Sequence, residues 1–202
     1  MKQLLMLLVF ALCVLPELGG CREQASYKNN VGDLSGFPQF PAGTWKADKD
    51  GWELVFEPNG TISSAVIPLG KVRIRPNQTT RLEGRLGEPG IFEAGDCVLE
   101  YEPKSGKISI TIDMRRIYAE IGGGILDGTC EYFISGSVRK DSKTWEATAF
   151  SVLDLDVLVP DPNSTEQPPP FKKIGTLDTE LGMDEKQLIF TKVEDNISKD
   201  AN

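Results

Sequence analysis

Residues 107–116 read Lys-Ile-Ser-Ile-Thr-Ile-Asp-Met-Arg-Arg, and their alternation decides the fold. Ile108, Ile110, Ile112 and Met114 fall on one face of an extended chain, and Ser109, Thr111, Asp113 and Arg115 fall on the other. A sustained period of two marks a strand with one face in an apolar core and the other in water. The isoleucines are β-branched, which suits a pleated surface. Beyond Arg115 the apolar phase slips to Ile117, Ala119 and Ile121. A one-residue slip turns every side chain to the opposite face, so a bulge or corner is expected near Arg115-Arg116.

The same alternation spreads outward from this segment. Trp52, Leu54 and Phe56 share one phase before Pro58-Asn59-Gly60 turns the chain into Thr61–Ile67. Val72 and Ile74 alternate with Lys71, Arg73 and Arg75, and Cys97, Leu99 and Tyr101 alternate with Val98, Glu100 and Glu102. Gly122–Gly124 and Asp127-Gly128 read as a loop. Cys130, Tyr132, Ile134 and Val138 form the next inward set, and Arg139–Lys143 turns into Trp145–Val152. Val159 to Lys173 is Pro-rich and reads as unable to supply a regular ladder, and Gln187–Val193 reads as a last strand. No segment carries a sustained 3.6-residue period. The expectation is an all-β domain over residues 41–195, an antiparallel up-and-down barrel or alternatively a β-sandwich. Residues 196–202 read as a disordered tail.

The N-terminus supplies an address. Met1-Lys2 precedes an apolar run from Leu4 to Leu15, then Pro16 and Leu18-Gly19-Gly20-Cys21. The run is shorter than the roughly 20 apolar residues of a spanning helix and matches a secretory signal. Leu18-Gly19-Gly20-Cys21 resembles a bacterial lipobox. The resemblance implies that residues 1–20 are a cleaved signal peptide and that Cys21 is the lipidated first residue of an envelope lipoprotein. Residues 21–40 are then a flexible tether. Arg22, rather than Asp, after the lipidated cysteine implies the outer membrane in a Gram-negative cell.

Gly43-Thr44-Trp45, Trp52–Phe56, Asn59-Gly60-Thr61 and the closing Leu188–Val193 resemble the two ends of lipocalin-like domains. This implies a barrel in which Trp45 plugs one end while the other opens to a small apolar ligand, with no catalysis. The alternative is an interaction or structural module that binds an envelope protein through a sheet edge or the Pro-rich loop. A carboxylate-based hydrolase is the remaining reading.

Composition bounds the chemistry. The chain has 202 residues, a formal net charge of -8 and no histidine. The acidic balance argues against nucleic acid as a partner. The missing histidine excludes Ser-His-Asp and Cys-His nucleophiles and His-ligated zinc. No cofactor and no metal site are expected. Cys97 and Cys130 fall in the apolar phase of their strands, and in an exported chain they read as a disulfide, the other reading being two buried free thiols. Closing that loop of about 33 residues would stabilise by roughly 3–4 kcal/mol.

Three polar clusters have a chemical reading beside a plain one. Asp48-Lys49-Asp50-Gly51 is similar to part of a calcium loop, yet Lys46 stands where a ligand is needed, so a hairpin turn is expected. Asp154 and Asp156, with Asp161 nearby, carry oxygen ligands for a hard cation or form the solvated face of an edge strand. Lys71, Arg73 and Arg75, with Arg81 and Arg85, make an anion-binding strand face or a solvated one balanced by Glu83 and Glu88. Gly122-Gly123-Gly124 lacks the Lys-Ser/Thr ending of a phosphate-binding loop.

Overall fold

The alternating segments pair into one antiparallel sheet that wraps almost completely around itself. The structure is a computed structural model and describes residues 42–83, 90–102, 104–121, 123–140, 143–178 and 185–194. The segments expected to be a signal peptide, a tether and a tail, together with Cys21, Arg85 and Glu88, lie outside the described residues. The strands are β1 (Gly43–Ala47), β2 (Glu53–Phe56), β3 (Ile62–Ile67), β4 (Val72–Ile74), β5 (Thr79–Leu82) and β6 (Gly90–Glu102). They continue as β7 (Lys107–Ile121), β8 (Gly124–Val138), β9 (Thr144–Pro160), β10 (Phe171–Asp178) and β11 (Lys186–Lys192).

The pairing order is β4-β3-β2-β1-β11-β9-β8-β7-β6-β5, with β10 attached only to β9. Ten strands therefore form a nearly closed up-and-down barrel, and the sandwich alternative is set aside. The two ends of the order, β4 and β5, are consecutive in the chain. The chain that joins them is tied to β6 by Asn77 N–H to Gly95 O at 2.8 Å and Ala94 N–H to Gln78 O at 3.1 Å. Thr80 Oγ1 also donates to Arg73 O at 3.2 Å.

Ile108, Ile110, Ile112 and Met114 are all buried in the barrel, as their period requires. Each contributes roughly 1.5–3 kcal/mol of burial free energy. Polar side chains such as Asp113, Glu131 and Glu146 occupy the opposite, outward phase of their strands. This is the reverse of a spanning barrel, whose outer face is apolar.

The expected corner is present. Met114 pairs with Cys130 and Ile117 with Gly128, so Arg115 and Arg116 together oppose Thr129 alone. That is a β-bulge, and it restores Ile117 and Ala119 to the buried face. A second irregularity lies beside it on β6, between Glu93 and Cys97. Asp127-Gly128, expected in a loop, instead lies inside β8. Its Gly128 has φ 154°, and a Cβ there would run into the Asp154 carbonyl, so glycine is required by close approach.

The Pro-rich stretch is a loop only over residues 161–170. It connects β9 to β10, a hairpin arm that the sequence pattern did not foresee. β5 and the first half of β6 were likewise not expected.

One end of the barrel is filled by aromatic rings. Trp45 lies 6.4 Å from Phe56, Phe56 lies 6.3 Å from Trp145, and Trp145 stacks on Phe190 at 4.6 Å. All four are essentially inaccessible to solvent. Trp45→Ala is expected to cost about 3–5 kcal/mol by opening a cavity among these rings. Urea unfolding followed by far-UV circular dichroism would read it, and a loss below 1 kcal/mol would show that the ring cluster does not hold the barrel end.

Candidate functional site

The inward residues of β9 explain why one end is full and the other is not. Reading up the strand they are Trp145, Ala147, Ala149, Ser151, Leu153 and Leu155. The large ring belongs to the plug; Ala149 and Ser151 then leave space on the inner wall. Above them is a pocket of about 180 Å³, lined by Asp50, Trp52, Pro68, Leu69, Tyr132, Ala149, Phe150, Ser151, Leu153 and Lys186.

Several elements bring these residues together. Asp48–Gly51 is a hairpin turn, with Asp50 at φ 61° and Gly51 at φ 77°, a backbone that Asp and Gly tolerate. It delivers Trp52, whose ring meets Tyr132 edge-on at 5.1 Å and 88°. The Tyr132 hydroxyl is engaged by the Leu69 backbone and the Cys130 side chain, and burial holds its pKa far above the ordinary tyrosine value, so it stays protonated. Pro68 and Leu69 come from the 3-10 turn between β3 and β4. β11 pairs with β9 from Lys186↔Ala149, whereas β10 pairs with β9 only as far as Asp178↔Asp154. The pocket sits at the step between those two ladders.

Its rim carries one ion pair, Lys186 Nζ to Asp50 Oδ2 at 3.0 Å. Asp50 Oδ2 is buried, and no donor is aligned on it for a hydrogen bond. Asp48 is used differently. Its Oδ1 accepts from Ile189 N–H at 3.0 Å while its own N–H donates to Ile189 O at 2.9 Å. Both carboxylates of the calcium-like turn thus have structural partners.

The other sequence-marked residues do not converge on a site. Asp156 is ion-paired to Lys173 at 2.5 Å and accepts from Thr176 at 3.0 Å, and the Lys173 ammonium holds its carboxyl below the usual range. Asp154 stands opposite Thr129 and Asp178 on the outer face. Among the described residues no cluster of three carboxylates or thiols is placed to hold a metal ion. Arg73 is paired with Glu53 and donates to Ser64 Oγ at 3.1 Å, and Lys46 shares Glu53 at 3.2 Å. Arg73, followed by Lys46, holds the Glu53 carboxyl below its usual value against the opposing effect of burial. Lys71, Arg75 and Arg81 are exposed.

The disulfide expectation is corrected: Cys97 and Cys130 are free thiols. Cys97 is level with Ile112 of β7 and Cys130 with Met114 of β7, so a whole strand lies between them. Two strand spacings come to about 9–10 Å, beyond the roughly 7 Å that a disulfide spans between Cα atoms. Shared apolar phase placed both inside and could not reveal the intervening strand.

No protein-family model matches the chain, and neither curated proteins nor solved structures yield a match. The class is therefore defined by the fold and the site: an up-and-down barrel, plugged with aromatics at one end and carrying a small pocket at the other.

Burial, followed by nearby acidic charges, pushes the Cys97 thiol up from 9.0 to about 12. Burial likewise raises Cys130 from 9.0 to about 12. The folded chain holds these protons when the unfolded chain has released them, so both thiols lower stability as pH rises from 9 toward 12. The urea midpoint at about pH 10.5 is expected to fall below that at about pH 8, with a weaker fall in the Cys97→Ala/Cys130→Ala variant. Equal pH dependence in the two proteins would contradict the thiol assignment.

Proposed function

We propose that this protein is a lipid-anchored lipoprotein of the bacterial envelope, held through Cys21, whose barrel binds a small, largely apolar molecule without catalysis. The pocket opposite the aromatic plug is the observation that carries the binding role. Its volume is close to that of an engineered cavity of about 150 Å³ that accepts benzene. Drug-sized ligands occupy roughly 300–1,000 Å³, so a single ring or short branched chain fits where a long acyl chain does not. Trp52, Leu69 and Leu153 supply the apolar walls. The anchor reading rests on the lipobox resemblance and the short apolar run before it. The mature chain would need two or more acyl chains for stable membrane residence.

A second reading, docking of an envelope protein, is favoured by the β9–β10 arm. β10 pairs only with β9, and it displays Ile174 at 63% and Leu177 at 45% exposure. Such an edge accepts an added strand. Binding of a partner that is lost in an Ile174→Lys/Leu177→Lys variant would favour this reading.

Two outcomes test the main proposal. Cys21→Ser in the native host should abolish acyl labelling and move the chain out of the membrane fraction; continued acylation would refute the anchor. Toluene should saturably shift the Trp52 indole NMR signal, and Ala149→Leu, which fills the pocket, should remove that shift. No shift at millimolar toluene would refute the binding role.

A further inference from the structure

We infer that the pocket selects a free amino-acid-like zwitterion with an apolar side chain, held by opening the Asp50–Lys186 ion pair and re-forming it through the ligand. The inference rests on the pocket being a binding site and adds the chemistry that site would read.

The polar groups are arranged as a complementary pair at the mouth of an apolar hollow. Asp50 Oδ2 is withdrawn from water and lacks an aligned hydrogen-bond donor, although Lys186 Nζ lies 3.0 Å away. A buried carboxylate oxygen in that condition is costly, and an ammonium group offers three donors to satisfy it. Lys186 is the movable member. Its side chain is 55% exposed against 27% for Asp50, and a long solvated lysine gives up such a contact at little cost. Released from Asp50, it remains at the rim as a cation for the ligand's carboxylate.

Charge balance then orders the ligands. A zwitterion replaces one ion pair by two and leaves no charge without a partner. An amine satisfies Asp50 and leaves Lys186 to water, which is a smaller gain. A carboxylic acid satisfies Lys186 but brings like charge toward Asp50, which disfavours it. Deeper in the pocket the Tyr132 hydroxyl is already engaged by Leu69 and Cys130, which leaves the Ser151 hydroxyl as a lone polar group among mostly apolar walls. The part of the ligand that enters is therefore apolar, and the space limits it to about one ring.

The test uses the full-length chain in mild detergent, following the Trp52 indole signal during titration with L-phenylalanine, 2-phenylethylamine, 3-phenylpropanoate and toluene. Phenylalanine should bind at least tenfold more tightly than 3-phenylpropanoate and measurably more tightly than the amine. Asp50→Asn, which keeps a residue tolerant of positive φ, should weaken phenylalanine about tenfold relative to its effect on toluene. Lys186→Met, at an exposed position, should reduce phenylalanine to the level of the amine. If toluene binds while phenylalanine is no better than 3-phenylpropanoate, or no better than the amine, the zwitterion inference is overturned and the pocket reading stands. If none of the four binds, both fall together.

Discussion

The pairing of the first strand with the last is the constraint on which the rest of this molecule depends. Trp45 opposite Lys192 and Ala47 opposite Phe190 join β1 to β11 across almost the whole length of the domain. Val193 N–H to Thr44 O at 2.8 Å and Asp48 N–H to Ile189 O at 2.9 Å extend the ladder at either end. Fastening strands so distant in sequence costs loop-closure entropy, which is offset only when the enclosed apolar faces are buried together. The aromatic plug does this at one end, since Trp45 arrives on β1, Phe190 on β11 and Trp145 on β9. At the other end the same ladder sets Asp50 beside Lys186.

Closure also governs the shape of the wall. β1 to β4 are short, whereas β6 to β9 are long; β6 and β7 keep one buried face because bulges reset their phase, while β8 and β9 pair with each other along their length without a shift. Asn77 of the β4–β5 connection bonds to the Gly95 carbonyl within the β6 irregularity, so the wall's corner and that connection share a backbone hydrogen bond. The step where β9 passes from β11 to β10 opens the pocket, and the small side chains of Ala149 and Ser151 keep it open.

Much of this was legible in the sequence because burial on one face imposes a period of two. The isoleucines of β7, the slip at Arg115-Arg116, the Asp50-Gly51 turn and the Gly-x-Trp opening each carried a local signal that the fold obeys. Thr79–Leu82 and Phe171–Asp178 carried none: their side chains are mostly exposed, so no apolar phase marks them. Asp127-Gly128 misled because a glycine needed for close approach looks the same in sequence as one needed for a turn. The pocket was hidden for a different reason. The shift from Trp145 to Ala147, Ala149 and Ser151 was present as a local pattern, but Asp50 and Lys186 become neighbours only through closure.

Native-state amide hydrogen exchange tests that closure most directly. The account predicts that Asp48, Ile189 and Val193 amides, all bonded between β1 and β11, exchange as slowly as Ile110 and Ile112 in the β7–β8 ladder and respond to denaturant in parallel. Fast exchange at Asp48, Ile189 and Val193, with β7 and β8 still protected, would contradict it: the barrel would be an open sheet, and neither the plug nor the pocket would be held in place.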